Sequence, residues 1–336
     1  MPSPIPAQRF LPRDLSPSLD LRPCSSPLEI SCKSERLFPG QLPGPRARRL
    51  PHRLAWCSID WEQVRLLEPL GAGGFGSVYR ATYYGQTVAV KKVKRSDRHR
   101  LACRQSFWGE LNVANLRHCH LVRLLAASAS PSEDRESLGS IIMEYVGVST
   151  LHHALYGGGG HPAPELSRCL RYACQAARGL LFLHSYGIVH LDLKPANLLL
   201  GEGDVCKIGD FGCSQRLQDL ASTGARRCQL GGTYTHRAPE LLKGERVTPK
   251  ADIYSFAITL WQMVSRELPY SGDHQCVVYA VVAYGLRPSF TPAFTRAAQG
   301  TKLRDLVSDC WQADPEGRPT AASLLASLQE SCKPGL

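Results

Sequence analysis

The 336-residue chain contains no long hydrophobic run. Its most extended apolar stretches, such as residues 179–183, are far shorter than the roughly 18 residues that a membrane-spanning helix needs. The first residues also lack a basic segment followed by an apolar one, the pattern of a secretory signal. With 43% hydrophobic residues, there is still ample material for a core. We therefore expect a globular cytoplasmic protein without a membrane span.

Cysteine pairs at metal-binding spacing are also missing. The 13 cysteines are scattered from Cys24 to Cys332, and no two stand in the Cys-x-x-Cys spacing that would hold zinc. Because no secretory signal is visible, we expect these thiols to stay reduced in a cytosolic or nuclear setting. The sequence thus predicts neither a disulfide scaffold nor this type of zinc site.

Aromatic residues do not interleave with the basic ones, although the formal net charge is +11. No basic stripe at helical spacing is visible either. These absences argue against a nucleic-acid site, so we expect no nucleic-acid partner. They favour a generic basic surface that helps to attract an acidic partner.

The first 58 residues differ in composition from the rest of the chain. They contain 11 of the 24 prolines, interleaved with serine and arginine, and show no sustained apolar periodicity. Such a segment buries too little surface to offset its conformational entropy, so we predict that it is flexible. Ordered structure is predicted from residue 59 onward.

Beyond residue 59 the pattern changes from strand-like to helical. The predicted strands are residues 64–70, 77–84, 87–93 and 140–146, and the predicted helices are residues 101–117, 166–184, 251–265, 277–284 and 303–312. The sequence therefore predicts an α+β fold. A small, mostly β lobe would span about residues 59–145, and a larger α-helical lobe about residues 147–334.

A glycine-rich segment lies in the strand-like region. Residues 71–78 read Gly-Ala-Gly-Gly-Phe-Gly-Ser-Val, and glycines let a backbone approach a phosphate closely and donate N–H groups to it. A dinucleotide-binding fold uses a similar pattern, but it requires a helix next and an acidic residue about 20 residues later. Here the next stretch is β-rich, and Lys91 stands where that acid would be. On this segment alone, a plain glycine-rich hairpin turn is the alternative.

Three further motifs follow in a fixed order. They are His190-Leu191-Asp192-Leu193-Lys194-Pro195-Ala196-Asn197, then Asp210-Phe211-Gly212, then Ala238-Pro239-Glu240. The tripeptides Asp-Phe-Gly and Ala-Pro-Glu are common in loops, so neither is specific alone. The glycine-rich segment and these three motifs, in this order and at this spacing, are not a coincidence. Residues 64–332 thus resemble a eukaryotic protein kinase.

That resemblance implies the bilobal protein kinase fold, with residues 59–336 as the kinase domain. It also implies transfer of the γ-phosphoryl group of ATP, with Mg²⁺ as the metal. Lys91 would bind the α- and β-phosphates, and Glu110 would orient Lys91 through an ion pair. The alternative for Glu110 is an exposed helix carboxylate.

Four residues are expected at the site of transfer. Asp192 would accept or orient the proton of the substrate hydroxyl, and Lys194 would contact the γ-phosphate. Asn197 and Asp210 would hold two Mg²⁺ ions through hard oxygen ligands. The resemblance therefore assigns the catalytic work to two short segments.

The resemblance also implies an ATP pocket. Met143 would guard the back of the adenine site. The backbone of Glu144, Tyr145 and Val146 would form the hinge that binds adenine. The other expected ATP-binding residues are Leu70, Gly71, Ala72, Gly73, Gly74, Phe75, Gly76, Ser77, Val78 and Ala89.

Other residues are expected to support the site structurally. Glu240 would pair with Arg318, and Asp252 would anchor the catalytic loop from the central helix of the larger lobe. His190 is expected to be a structural core histidine, because the family assigns the base role to the aspartate.

Two residues indicate which type of side-chain hydroxyl is phosphorylated. Lys194, two residues after Asp192, resembles serine/threonine kinases, since tyrosine kinases usually carry Ala-Ala-Arg or Arg-Ala-Ala there. Thr233 stands where the threonine of serine/threonine kinases contacts that aspartate and lysine. The resemblance is therefore to enzymes specific for serine and threonine.

Leu191 departs from the family pattern. Most regulated members have an arginine there, which binds a phosphate on the activation loop through charge-assisted hydrogen bonds. Leucine cannot do this. We therefore predict that the loop from Cys213 to Leu230 reaches its active form without phosphorylation.

Three longer segments resemble a narrower group than the protein kinases as a whole. Residues 53–64, 188–197 and 230–240 resemble germ-cell kinases that act as MAP kinase kinase kinases. This implies a MAP kinase kinase as substrate and partner, in oocyte meiotic maturation and metaphase II arrest. The alternatives are an active serine/threonine kinase outside the MAP kinase cascade and a pseudokinase scaffold, which the presence of all three key catalytic residues disfavours. We expect a monomer.

Ser3 is a candidate phosphorylation site. It precedes a proline, as proline-directed kinases require, in a terminal segment of the kind where degradation signals concentrate. We predict that its phosphorylation masks recognition by the degradation machinery. Similar pairs at Ser16-Pro17 and Ser26-Pro27 leave an incidental Ser-Pro pair as the alternative.

Overall fold

The computed structural model describes residues 58–74, 76–94, 100–129, 137–157, 163–219, 233–296 and 299–332. The flexible segment predicted for residues 1–58 lies outside the described residues, except for Ser58, and so do Ser3, Phe75 and residues 220–232. The predictions made for them stay predictions. No helix in the described ranges is long and apolar enough to cross a membrane.

A five-stranded antiparallel sheet forms the first part of the described chain. Its strands are β1 (Val64–Gly73), β2 (Gly76–Tyr83), β3 (Gln86–Lys94), β4 (Leu124–Ser128) and β5 (Ser137–Glu144), in the spatial order β1-β2-β3-β5-β4. Tyr84 and Gly85 connect β2 to β3, both with positive φ, as a two-residue hairpin turn of the right twist requires. In the glycine-rich segment, residues 71–73 of β1 pair with residues 76–78 of β2 at the end of the β1–β2 hairpin.

Strand β4 was not predicted from the sequence. Its residues, Leu-Leu-Ala-Ala-Ser, show no alternation, and alanine and leucine are weak strand formers. The strand forms because it pairs with β5, whose Ile141 and Ile142 are fully buried. Tertiary pairing here outweighs local propensity.

Helix α1 (Arg100–Glu110) packs against the sheet through Cys103 and Phe107, which are buried with Ile141. The sequence predicted this helix to residue 117, and that prediction was too long. The helix ends at Glu110 and continues as one 3-10 turn, Leu111–Val113. In this turn the Asn112 side chain donates hydrogen bonds to the carbonyl and the hydroxyl of Ser214, which ties the end of α1 to the segment after Phe211.

The rest of the described chain is mainly helical. Its helices are α2 (Leu151–Tyr156), α3 (Leu166–Ser185), α4 (Pro239–Leu242), α5 (Lys250–Ser265), α6 (His274–Ala283), α7 (Ala293–Arg296), α8 (Gly300–Cys310) and α9 (Ala321–Ser331). Helix α5 is buried from Ala251 to Val264 and is the centre of this part. Helix α6 begins three residues before its predicted start, because the Asp273 carboxylate accepts the N–H groups of Gln275 and Cys276 as an N-cap.

Five short strands follow the five-stranded sheet in the chain, and the expected catalytic motifs lie in the loops beside them. They are β6 (Ser149–Thr150), β7 (Ile188–Val189), β8 (Leu198–Gly201), β9 (Val205–Ile208) and β10 (Gln215–Arg216), paired as β6-β8-β9 and β7-β10. Residues 190–197 lie between β7 and β8, and Asp210 follows β9. A β-sheet part followed by a helical part is the α+β architecture expected from the sequence.

Candidate active site

A cleft of about 700 Å³ lies between the five-stranded sheet and the helical part. Its walls include the expected ATP-binding residues Leu70, Gly71, Ala72, Gly73, Gly74, Gly76, Val78, Ala89, Lys91, Glu110, Met143, Glu144 and Val146. Ser77, also an expected ATP-binding residue, does not line the cleft. Successive side chains on a strand point to opposite faces, so the cleft side of β2 belongs to Val78.

Lys91 bridges two carboxylates at the wall of this cleft. Its Nζ lies 2.5 Å from Glu110 Oε1 and 2.6 Å from Asp210 Oδ1. Burial alone would lower the pKa of Lys91, but the facing carboxylates outweigh it and hold that pKa above its usual value. The lysine therefore keeps its charge although only 11% of its side chain is exposed. The Glu110 side chain is buried, which excludes the exposed-carboxylate alternative.

Asp210 combines an unusual backbone with a charged side chain. Its φ is +56°, in the left-handed region that few non-glycine residues adopt. Burial would raise the pKa of Asp210, but the Lys91 ammonium holds it well below its usual range. About half of the side chain, 48%, stays exposed in the cleft. The carboxylate is therefore ionised and accessible to a ligand.

Helix α1 approaches the Asp210-Phe211-Gly212 segment very closely. The Phe211 N–H donates to Glu110 Oε2 at 3.1 Å, and the Ser214 hydroxyl donates to the Gly109 carbonyl at 2.8 Å. A Cβ atom at position 109 would lie only 2.5 Å from the Gly212 carbonyl oxygen. Gly109 is thus required for this contact. This role of Gly109 was not predicted from the sequence, where the one signal was a glycine inside a helix, a position that glycine disfavours.

Asp192 and Lys194 form a network with Thr233. Lys194 Nζ lies 2.8 Å from Asp192 Oδ2 and donates to Thr233 Oγ1 at 2.5 Å. The Thr233 N–H donates to Asp192 Oδ1 at 2.9 Å. Thr233 therefore makes the contacts with Asp192 and Lys194 that were expected from the resemblance to serine/threonine kinases. These contacts hold the Asp192 carboxylate in one orientation.

Asn197 and Asp210 offer oxygen atoms that fit a divalent cation. The Asn197 side-chain amide donates to the carbonyl and carboxylate of Asp192, at 2.7 and 3.0 Å, which leaves its Oδ1 as an acceptor. The N–H of Gly209, next to Asp210, donates to the Asn197 carbonyl at 2.9 Å and so ties the two segments together. One carboxylate, one amide oxygen and added phosphate oxygens make the hard-ligand set that Mg²⁺ prefers.

Asp252 holds the backbone that leads into Asp192. Its two carboxylate oxygens accept the N–H groups of His190 and Leu191, each at 2.8 Å. His184 Nε2 lies 2.9 Å from the same carboxylate. Leu191 has a φ of +66°, so these bonds stabilise a conformation that a leucine rarely adopts. His190 is fully buried against the Phe211 ring, as expected for a structural histidine.

The family follows from comparison with known proteins. The profile of the protein kinase domain matches residues 64–328. The chain is 64% identical to the serine/threonine-protein kinase mos of Xenopus laevis, over 99% of the chain and 93% of that protein. It is 60% identical to the Gallus gallus protein of the same name and 56% identical to the proto-oncogene serine/threonine-protein kinase mos of Mus musculus, each over 98% of both chains. The chain belongs to the Mos family of protein kinases.

This Mos-family chain is a serine/threonine protein kinase with the bilobal α+β kinase fold. As a protein kinase it uses ATP and a divalent metal ion, and its substrate is a protein. The cleft and the oxygen atoms of Asn197 and Asp210 fit these two ligands.

One contact of Glu144 in this Mos-family chain was not predicted. Lys207 Nζ, on β9, lies 2.7 Å from Glu144 Oε2 and 2.8 Å from Oε1. The Arg123 N–H donates to the same carboxylate at 2.7 Å. The Glu144 N–H in turn donates to the Arg123 carbonyl at 2.9 Å, so Glu144 is held by its side chain and by its backbone. The Glu144–Lys207 pair joins residues 63 positions apart, which no local pattern indicates.

Proposed function

We propose that this kinase is a MAP kinase kinase kinase. It would transfer the γ-phosphoryl group of ATP, bound with Mg²⁺, to serine hydroxyls of a MAP kinase kinase in oocyte meiotic maturation and metaphase II arrest. The observation that carries this proposal is the likeness to Mos kinases over 98–99% of the chain, well beyond the residues that the kinase profile matches. We propose further that residues 59–336 form the kinase domain, after a flexible segment 1–58, and that the protein acts as a cytoplasmic monomer.

Charged and backbone groups at the cleft wall are proposed to bind the nucleotide. When bound, the nucleotide with its metal supplies the phosphoryl group and part of the charge neutralisation. Lys91 places a permanent positive charge at the cleft wall, and Glu110 fixes its position through the 2.5 Å ion pair. The backbone of Glu144 and Val146, with Met143 behind it, would hold the base. Together these residues would hold the phosphates beside the part of the cleft wall that Lys91 forms.

Asp192 is the proposed acceptor of the substrate proton. Its carboxylate is 7% exposed and is oriented by Lys194, Asn197 and the Thr233 backbone. A substrate hydroxyl within hydrogen-bond distance of Asp192 would be aligned for attack. Lys194, 2.8 Å away, would stabilise negative charge on the group in transfer.

Asn197 and Asp210 are the proposed metal ligands. The low pKa of Asp210 keeps its carboxylate ionised, and the Asn197 amide is held by Asp192 so that its oxygen is left for a cation. Both residues lie at the edge of the same cleft as Lys91. The arrangement supports phosphoryl transfer by positioning and electrostatic stabilisation.

A radiolabelled-ATP assay tests the proposed function. The substrate is purified MAP kinase kinase made inactive by mutation, and a second sample has its acceptor serines replaced by alanine. Incorporation into the first sample alone supports the proposal. Label on a general protein substrate but none on MAP kinase kinase would place the kinase outside the cascade. No incorporation into any protein would indicate a pseudokinase.

A further inference from the structure

Two cysteines that are 158 residues apart in the chain face each other in the helical part. The Sγ atom of Cys174, on α3, lies 3.7 Å from the Sγ atom of Cys332, at the end of α9. Both thiols are free in the structure. In a disulfide the two sulfur atoms are about 2.05 Å apart, so only a small approach separates these thiols from a bond. We call them the Cys174–Cys332 pair.

The fold holds the main chain on both sides of this pair. Helix α9 packs against α3, and its Leu324 and Leu328 belong to the same buried cluster as Cys174. The Cys332 N–H donates to the Leu328 carbonyl at 3.0 Å and so caps α9. Both cysteines are therefore positioned by packed helices. Bond formation then requires side-chain rotation and a slight shift of the helix end, not unfolding.

The two thiols differ in their access to solvent. Cys332 is exposed, whereas Cys174 is only 7% exposed. Burial raises the pKa of the Cys174 thiol, and the facing Cys332 thiol raises it further, while the positive charge of Arg178 opposes both effects. Cys174 therefore stays protonated and shielded. A reagent in solution reaches Cys332 first, because reactive thiols need both access and ionisation.

We propose that Cys332 and Cys174 form a reversible disulfide when the protein meets a peroxide. The Cys332 thiolate attacks one oxygen of hydrogen peroxide, the O–O bond breaks, and the leaving hydroxide takes up a proton to become water. Cys332 is then a sulfenic acid. The Cys174 sulfur bonds to the Cys332 sulfur, the S–O bond breaks, and the hydroxyl group leaves as water with the Cys174 proton. The two thiols thus supply the two electrons that reduce the peroxide.

The bond would be reversible because one of its sulfur atoms stays within reach of a reductant. A thiolate of a dithiol reductant attacks the exposed Cys332 sulfur, and Cys174 leaves and takes up a proton. The second thiol of the reductant then releases Cys332, and the reductant becomes the disulfide. In a reducing compartment, disulfides of this kind are transient and serve redox sensing. The proposal is thus compatible with thiols that are normally reduced.

The disulfide would act on the helix that supports the catalytic loop. Next to Cys174, the Gln175 side chain accepts the Cys206 N–H of β9 at 2.5 Å. Near the end of α3, His184 Nε2 lies 2.9 Å from the carboxylate of Asp252. A cross-link that closes a long loop restricts the unfolded chain strongly. We therefore expect oxidation to stabilise the helical part against unfolding, whichever protein the kinase phosphorylates.

The test uses the purified full-length protein with a small excess of hydrogen peroxide. Remaining thiols are alkylated, the protein is digested without reductant, and mass spectrometry identifies the cross-linked peptides. Cys332→Ser removes the exposed member of the pair. Cys276→Ser is the matched control, because Cys276 is also exposed but lies on α6. Thermal unfolding of the reduced and oxidised forms of each protein gives Tm.

We expect the wild-type protein to yield one peptide pair joined through Cys174 and Cys332, two hydrogen atoms lighter than the separate peptides. Dithiothreitol should release it. The Tm of the oxidised form should exceed that of the reduced form by about 5 °C or more. Cys276→Ser should give the same cross-link and the same rise in Tm, and Cys332→Ser should give neither.

Three results would overturn the proposal. Sulfenic or more highly oxidised Cys332 with no bond to Cys174 would show that the buried thiol does not react. A disulfide between the Cys332 residues of two chains would assign this thiol to intermolecular cross-linking. An equal rise in Tm for oxidised Cys332→Ser, or no rise for the cross-linked wild-type protein, would show that the bond does not stabilise the fold.

Discussion

Arg318 and Glu240 form a bidentate ion pair inside the helical part of the protein, with both Nη–Oε distances at 2.7 Å. The Arg318 side chain is fully buried and also donates to the carbonyls of Gln312 and Lys250. Removing one member of such a pair leaves a buried charge without a partner, which costs far more than an exposed pair is worth. The pair thus fixes Glu240, at the start of α4, to the loop before α9.

Arg318→Ala should therefore strongly destabilise the protein. We expect the free energy of unfolding to fall by about 3–5 kcal/mol, because Glu240 and the carbonyl groups of Gln312, Ala313 and Lys250 lose their partner. Urea unfolding measures this change. Lys243→Ala is the control, since it breaks an exposed pair with Glu245 at 3.8 Å and should leave stability unchanged. Similar losses in both variants would contradict the special role of the buried pair.

Lys91→Arg and Asp210→Asn should each abolish phosphoryl transfer while the protein stays folded. The bulky guanidinium cannot reproduce the compact contacts of Lys91 Nζ with two carboxylates, and an amide at position 210 is a poor metal ligand. Turnover with radiolabelled ATP measures activity, and circular dichroism checks the fold. Near-wild-type turnover in either purified variant would refute the catalytic assignment.

Gly109→Ala should reduce activity at little cost to the global fold. The added methyl group would meet the Gly212 carbonyl at 2.5 Å, so α1 must move away and take Glu110 from Lys91. We expect kcat to fall by at least tenfold, since misplaced catalytic groups lower rates steeply. Gln105→Ala, on the exposed side of α1, is the control and should keep full activity. Equal activities in the two variants would mean that α1 tolerates the methyl group without moving.

His236 should make folding stability depend on pH. Burial lowers the pKa of its imidazole to about 4, with the ring set between Gln262 and Thr235. In the unfolded chain the pKa is about 6.5, so below that pH the unfolded state takes up a proton that the folded state does not. This contribution to stability is therefore complete above pH 6.5 and is lost as the pH falls toward 4.

The pH effect is measured by urea unfolding at pH 7 and pH 5. For the wild-type protein, His236 should contribute a loss of about 2 kcal/mol between these values. His236→Gln should lack this part of the loss, whereas His153→Gln, at an exposed position, should behave as the wild type does. Identical pH dependence in all three proteins would show that His236 is not buried in its neutral form.

Protein expressed in bacteria and treated with phosphatase should keep most of its activity. Leu191 is buried and cannot bind a phosphate, and Thr233 already bonds to Asp192 and Lys194. The measurement is kinase activity before and after treatment. Loss of activity, followed by recovery on phosphorylation of Ser222, Thr223 or Thr235, would contradict this expectation.

The sequence predicted what depends on short, ordered motifs. Lys91, Asp192 and Asp210 were assigned to one site because their spacing along the chain is characteristic, and the structure brings all three to one cleft. Helices α3 and α5 were predicted within a few residues, since each has an apolar pattern that extends over many residues.

What the sequence did not predict depends on contacts between distant segments. Strand β4 has weak propensity and forms through pairing with β5, and the turn after α1 is tied to Ser214 by the Asn112 side chain. The Glu144–Lys207 pair joins single side chains that belong to no repeating pattern. Likewise, the apolar composition of α6 predicted a helix, but only the packing of the neighbouring elements decides which of its residues remain exposed.

The hydrogen bonds between Asp252 and the backbone of residues 190 and 191 have a consequence for the substitutions that position 191 can accept. Both hydrogen bonds are made by main-chain N–H groups, so the shape of the catalytic loop does not depend on which side chain stands at position 191. One codon change there can exchange a phosphate-binding arginine for a leucine and leave Asp192 in place.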